Sequence, residues 1–514
     1  MEKDSKIKLM TRSKKIKLNT FFGLANQLIA LVCGFILPRF ILKYYGSEVN
    51  GLVSSITQFL SLITLCELGV GAVVQSALYK PLAINDEVGV SKIMISARRF
   101  FNRIGIIMLI YVVVLMVVLP LNQLESFDFL TTALLVASMS ITYFAQYFFG
   151  IKNQLLLNAD QKSYVQLILQ IVTVILNTVV CVILIILGSS IQVVKLATSV
   201  IFLLRPLGLM LYVRKNYKID YSLTLTEEPI KQKWNGLTHH LASVVLQNTD
   251  TVVLTFFSTL VNVSIYNVYH MVVIGVRHMV ESLTIGVQAL FGNMLAKGET
   301  EELEKTFSRT EWLLHTVAVL AFTIAGVLIV PFVKVYTSGV TDANYIVPTF
   351  AVLICMATAS YCLRFPYYIM VKAAGYYKET QLSAIVEMVI NILLSIVLVF
   401  KLGLSGVAIG TFVAMTYRTI YFALYLRKNI INRPIKHFIK HMLVNVLTVG
   451  LIVLATFWIK LGAVNYLSWF IMAIEVGVIA LAITFIVNII FYKNQTLSIF
   501  KSIKSKFFKR SVKK

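Results

Sequence analysis

The sequence predicts an all-α polytopic membrane protein with about 14 transmembrane helices, grouped as six, six and two. Three observations predict it. Of the 514 residues, 58% are apolar and only 14% are charged, against about 25% charged in an ordinary soluble domain. The apolar residues gather into stretches long enough to cross about 30 Å of hydrocarbon as a helix. The basic residues alternate in density between successive connections, as the positive-inside rule requires. A soluble enzyme, a disordered chain and a secreted scaffold are all excluded by this composition.

The apolar stretches run 18–42, 51–79, 104–121, 129–150, 163–187, 191–213, 236–260, 266–293, 312–335, 345–371, 382–400, 403–426, 438–460 and 467–492. With the N-terminus inside, 37 of the 47 Lys and Arg fall in or beside cytoplasmic segments. Lys43, Lys195, Lys334, Lys401 and Lys460 lie outside, and five arginines lie within spans. Both termini are therefore expected in the cytoplasm, and the net charge of +24 is explained by the membrane rather than by nucleic acid. The seven basic residues before Leu18 precede no small-residue cleavage site. The first stretch is thus expected to be retained as a span.

The expected organisation is an N-terminal six-helix lobe (1–213), a cytoplasmic linker (214–235) and a second six-helix lobe (236–426). Helices 13 and 14 (427–492) and a basic cytoplasmic tail (493–514) follow. The longest inner segments, 80–103, 214–235 and 294–311, are expected as loops, and every outer loop is short. A faint internal correspondence supports two lobes. Asn19 and Asn235 open the first and seventh stretches. Glu67-Leu-Gly-Val-Gly71 and Glu281-Ser-Leu-Thr-Ile-Gly286 lie in the second and eighth. Ile499, Phe500, Ile503, Phe507 and Phe508 sit at near-helical spacing among basic residues, as in a helix lying on an anionic leaflet.

Ionisable residues within spans are expensive and mark cavities or partners. Arg39, Arg205, Arg277, Arg364 and Arg418 qualify, and their planar forks suit phosphate. They are the candidate substrate-binding residues of a cationic cavity. The competing reading pairs them with acids or headgroups. Arg277 and Glu281 are one helical turn apart and are expected to interact. Among the in-span acids, Asp250 and Glu387, with Asn248 and Asn391, are the candidates for a cation or proton site. Their competing role is interhelical hydrogen bonding. Conservative amide variants of the two acids are expected to impair transport more than folding. Glu475 reads as structural, and His239, His240, His270 and His278 as interfacial or packing residues. The cysteines (Cys33, Cys66, Cys181, Cys355 and Cys362) lie in apolar stretches without metal-ligand spacing. No metal site, nucleotide-binding loop or hydrolase motif is legible, so no cofactor is expected beyond coupling to Na+ or H+.

Leu37-Pro-Arg-Phe-Ile-Leu42, Tyr45-Gly46, Asn50-Gly51-Leu52 and Glu67-Leu-Gly-Val-Gly71 resemble the opening of bacterial polysaccharide flippases. These form a branch of the multidrug/oligosaccharidyl-lipid/polysaccharide exporter superfamily. The resemblance covers the whole chain in span count, orientation and lobe division. It implies two six-helix lobes around a central cationic cavity and alternating access. It implies transport of an undecaprenyl-diphosphate-linked oligosaccharide from the inner to the outer leaflet of the bacterial cell membrane. Capsule, exopolysaccharide and teichoic-acid precursors are the expected cargo types, and membrane lipids, a polysaccharide polymerase and glycosyltransferases the expected partners. A cation-coupled drug exporter of the MATE type and a lipid II flippase remain as alternatives. A membrane polymerase fits less well, because the outer loops are short and lack arginine and histidine.

Overall fold

The computed structural model describes residues 12–67, 70–122, 127–224 and 237–496. Among these residues the regular structure is entirely helical. Eleven helices are long and apolar enough to cross a membrane. Two of them contain a sharp backbone break, and a shorter apolar helix spans Val244–Phe257. Divided at the breaks, these helices give fourteen apolar stretches in the expected order. The basic tail after residue 496 and linker residues 225–236 lie outside the described residues, as do the side chains of Cys66, His239 and His240.

Contacts divide the chain into two units, Met1–Asn248 and Thr249–Lys514. The first contains α1 (Arg12–Ser61), a 3-10 segment (Leu62–Glu67), α2 (Val70–Ala83), α3 (Glu87–Asn122) and α4 (Phe129–Ala145). It continues with a π-helical turn (Gln146–Gly150), α5 (Ile151–Ala159), α6 (Ser163–Ile186) and α7 (Ile191–Asn216). Helix α8 (Leu237–Phe257) begins in the first unit and ends in the second. Within the first unit α6 packs on α1 and α7, and α4 packs on α3 and α7. The N-terminus of α6 is fixed by Asn19, whose Oδ1 accepts from the Tyr164 amide at 2.8 Å while its Nδ2 donates to Gln161 O at 2.9 Å.

The second unit holds α9 (Leu260–Ser282), α10 (Val287–Lys297), α11 (Thr300–Tyr336), α12 (Pro348–Leu363) and α13 (Phe365–Ala373). Helices α14 (Gln381–Asn429), α15 (Lys436–Thr456) and α16 (Tyr466–Phe491) complete it. Helix α11 is its hub, packing on α9, α12, α15 and α16. Trp312 Nε1 donates to Asn488 Oδ1 at 2.5 Å, fastening α16 to that hub.

The burial pattern is that of a lipid-immersed bundle. On α3, Ile104, Met108, Val112, Leu115 and Leu119 are buried, while Ile106, Ile110, Val113 and Val117 are exposed. An outward face this apolar is stable only against hydrocarbon.

Several elements differ from expectation. Segments 80–103 and 294–311 are largely helical, because α3 and α11 extend past their apolar stretches with their basic and acidic ends still hydrogen-bonded internally. The stretch 266–293, whose length leaves room for an interfacial turn, has one: it divides into α9 and α10 at Gly286, a left-handed residue (φ 83°), and so agrees with the sequence. The stretch 345–371 is hitched at Arg364, between α12 and α13.

The α14 break matters most for the site. Gly403 adopts φ 53°, ψ −130°, a conformation essentially reserved for glycine. It folds α14 into a hairpin whose two arms touch through backbone. A methyl group on Gly406 would lie 2.3 Å from the Leu398 carbonyl oxygen, and one on Gly410 would lie 2.6 Å from Ser395 Oγ. Small residues one turn apart allow this approach in a membrane, where packing rather than hydrophobicity joins helices.

Candidate functional site

The α14 hairpin places Asn391 of its first arm against Thr411 of its second, with the amide Nδ2 donating to Thr411 Oγ1 at 3.0 Å. Helix α8 brings Asp250 to the same point. Thr411 Oγ1 lies 2.8 Å from both Asp250 carboxylate oxygens and 3.1 Å from Val407 O. Tyr266 of α9 donates its hydroxyl to Asp250 Oδ2 at 3.1 Å, and Asn391 Nδ2 reaches Oδ1 at 3.4 Å. Asp250, Asn391 and Thr411 are all buried.

Acceptors outnumber donors here. The single hydrogen of Thr411 faces three oxygens. Asn391 Oδ1 is buried with no hydrogen-bond partner, an orphan that normally costs about 1–3 kcal/mol. Oxygen-rich, donor-poor and carboxylate-bearing, the cluster matches the preference of hard cations for carboxylate, amide and hydroxyl oxygens. Among the described residues no three His, Cys, Asp or Glu side chains gather in a metal-binding arrangement.

One turn before Asn391, Glu387 sits in a different environment. Arg364 Nη1 donates to its Oε1 at 2.7 Å and Arg418 Nη1 to its Oε2 at 2.6 Å. All three side chains are buried. The guanidinium groups of Arg277 and Arg364 lie 4.1 and 4.2 Å from the Tyr361 ring centre. Arg277 Nη2 also donates to the Tyr361 hydroxyl at 3.2 Å, and its Nε is 3.9 Å from Glu281 Oε2. Arg277, Arg364 and Arg418 thus form one network through Tyr361 and Glu387. Arg277 Nε and Arg418 Nε, both buried, have no hydrogen-bond acceptor.

The remaining candidates are placed elsewhere. Arg205, in the first unit, donates from Nε to Thr173 Oγ1 at 2.6 Å and stacks 4.3 Å over Phe202. Arg39 is half-buried on α1. Asn248 accepts from Ser61 Oγ at 2.6 Å and from Gln58, so it is engaged with α1 rather than with Asn391. Glu387 is likewise separated in role from Asp250, because both of its oxygens are occupied by arginines. Glu67 accepts from Tyr147. His270 stacks on Tyr266, and His278 lies 3.5 Å from Glu281. Glu475 is exposed on the apolar face of α16.

Sequence reasoning missed a second buried ionic cluster. Glu311 of α11 accepts from Tyr367 at 2.6 Å and from Arg433, and lies 3.3 Å from His441 Nε2. His441 Nδ1 in turn meets the Tyr492 hydroxyl at 2.9 Å. The cluster joins α11, α13, α15 and the chain leaving α16. Two sequence signals bear on it: Glu311 with His315, and His437 with His441, each pair one turn apart on a helix.

These features define a multi-pass membrane protein with polar groups buried inside apolar helices, and its fold is similar to that of solved membrane transporters. The chain is similar to the lipid II flippase MurJ in its inward closed conformation, with a TM-score of 0.67 at 16% identity, covering 93% of this chain and 99% of that one. It is also similar to an inward-facing multidrug resistance MATE family transporter of the MOP superfamily (TM-score 0.59, 14% identity, 78% and 94% covered). A Vibrio cholerae MATE transporter matches with TM-score 0.55 at 14% identity, over 81% and 98%. No family pattern and no curated protein sequence matches the chain.

Proposed function

We propose that the chain is a flippase carrying an undecaprenyl-diphosphate-linked oligosaccharide from the inner to the outer leaflet of the bacterial cell membrane, by alternating access and with both termini cytoplasmic. The observation that carries this reading is the arginine network of the second unit. Three guanidinium groups share one fully buried carboxylate and the half-exposed Glu281, which leaves net positive charge inside an apolar helix bundle. A diphosphate cannot cross hydrocarbon unaided, because its charges would lose their hydration. Spare guanidinium donors replace that hydration with bidentate hydrogen bonds. The fold neighbours support the same direction. The MATE transporters match nearly end to end yet leave about a fifth of this chain unmatched, whereas the flippase neighbour spans 93% of it.

In this reading the Asp250–Asn391–Thr411 cluster holds the coupling Na+ or H+. Without the cation, Asn391 points its amide hydrogens at the carboxylate and hydroxyl. Half a turn of the amide presents its orphan oxygen instead, so the cluster exchanges a donor for an acceptor as the cation enters. Asp250→Asn keeps the shape and removes the charge. In proteoliposomes with a leaflet-selective label on a lipid-linked glycan, this variant should lose gradient-driven flipping by tenfold or more while retaining slow exchange without a gradient. Wild-type flipping by Asp250→Asn under the same gradient would remove the cluster from coupling. Gradient-driven efflux of a cationic dye, with no glycan movement, would favour the drug-exporter reading.

A further inference from the structure

The first unit contains a cavity of about 400 Å³ at the end where α3 begins and α7 finishes, lined by Arg98, Lys152, Arg214, Tyr217 and Tyr221 among others. All its lining residues belong to the first unit, and it does not depend on the flippase reading. Its volume falls in the range of small-molecule sites, about 300–1,000 Å³. Lys152 is only 9% exposed, yet among the described residues no carboxylate or carbonyl accepts from its ammonium. The ammonium lies 5.7 Å from the centre of the Tyr221 ring. Arg98 and Arg214, both exposed, line the same cavity and carry the same charge. Arg98 also lies 5.2 Å over Tyr221.

Among the described residues no acid lines the cavity, and the described acids beside it are engaged. Asp160, reached by the Tyr217 hydroxyl at 2.5 Å, is paired with Lys15 at 2.9 Å and Lys162 at 2.7 Å. Asp220 accepts from the Ser222 amide and hydroxyl. The segment carrying Tyr221 is held over α3 by the Asp220 amide, which donates to Ser91 Oγ at 3.1 Å. The result is three cations on one cavity, one of them buried, under an aromatic cover and with no acid on the lining among the described residues. A buried cation of this kind is costly unless paired.

We propose that this cavity binds a phosphate group, with Lys152 as the deep point charge and Arg98 and Arg214 as forks at the mouth. A phosphate carries one negative charge as a diester and about −1.5 to −2 as a monoester, and its oxygens can accept from more than one fork at once. Phe148, Phe149 and Met210 on the wall suit an apolar or ring-bearing substituent on that phosphate. The source is either a lipid headgroup or a soluble phosphate ester, and the two are separable by experiment.

The full chain is placed in nanodiscs of pure phosphatidylcholine and in nanodiscs with added phosphatidylglycerol, and its thermal midpoint is followed during titration with inorganic pyrophosphate. In pure phosphatidylcholine, pyrophosphate should raise the midpoint saturably, with the effect weakened by salt. Loss of that effect in phosphatidylglycerol discs identifies the lipid headgroup as the occupant; retention identifies a soluble phosphate. Arg98→Gln and Arg214→Gln, both at exposed positions, should weaken pyrophosphate binding by about tenfold or more. Lys92→Gln, on the same helix but outside the cavity, should not. Lys152→Met removes like-charge repulsion, so it should stabilise the empty protein while abolishing the pyrophosphate response. Absence of a saturable response in both disc types overturns the proposal, as does an unchanged response in Arg98→Gln and Arg214→Gln.

Discussion

The two units handle buried positive charge in opposite ways. In the second, Arg364 and Arg418 each meet an oxygen of Glu387, and Arg433 meets Glu311. In the first, Lys152 is buried in a cavity shared with two arginines and an aromatic ring, and among the described residues no acid lines it. The difference teaches where compensation comes from. A cation paired with an acid of its own chain is held in place by that acid and presents only its spare donors to a ligand. A cation that meets no acid among the described residues keeps its electrostatic energy for something that arrives from outside.

The largest expected effect tests the committed side. Glu387→Gln leaves two buried arginines without their counter-charge and should cost about 3–5 kcal/mol in unfolding from mixed micelles. The combined change Arg364→Met, Glu387→Leu, Arg418→Met should restore or exceed wild-type stability while abolishing transport. A Glu387→Gln variant that folds normally and fails only in transport would break the comparison and return Glu387 to the coupling role expected from the sequence. Next in size is Glu311→Gln, at about 1–3 kcal/mol in the same measurement. It is smaller because Arg433 borders cavities near the chain entering α15, where it can recover water. The smallest effect sharpens the first unit. Burial alone would raise the Asp160 carboxyl, but hydrogen bonds from Lys162, Tyr217 and Lys15 more than offset it and hold it below its ordinary value. Its contribution is therefore complete at neutral pH and is lost as the pH falls through its folded value. Asp160→Asn should cost under about 1 kcal/mol and flatten the acid limb of a stability-versus-pH profile.

Much of the fold was legible because lipid imposes length and composition on every span. The fourteen apolar stretches and the short connections follow from that constraint. The site was legible in part. Asp250 and Asn391 stand out as polar residues inside apolar runs, but Thr411 does not. Threonine is common in such helices, where its hydroxyl usually returns to the carbonyl four residues earlier, as Thr411 also does. Only the turn at Gly403 reveals that it faces Asp250, 161 residues away in sequence. Glu387 lies one turn from Asn391 and invited a shared role. Its arginine partners, 23 and 31 residues away, come from α12–α13 and from the returning arm of the hairpin, and no local spacing announces them. The Glu311 cluster escaped for a related reason: its acid sits where an apolar stretch meets a polar segment, so it read as a loop charge.

The π-helical turn at Gln146–Gly150 has a consequence for how this region tolerates change. Each residue of an α-helix advances about 100° around the axis, and a π turn inserts one residue into the ladder. Every side chain of α5 is therefore out of phase with a wheel drawn from α4. Lys152 and Asn153 reach the basic cavity because of that offset as much as because of their identities. A deletion of one residue between 146 and 150 would leave an unbroken, apolar, membrane-compatible helix. It would also swing the lysine about a quarter turn from its place. Length within this turn is thus a form of sequence information, and a chain can change the charge of that wall without substituting any residue that lines it.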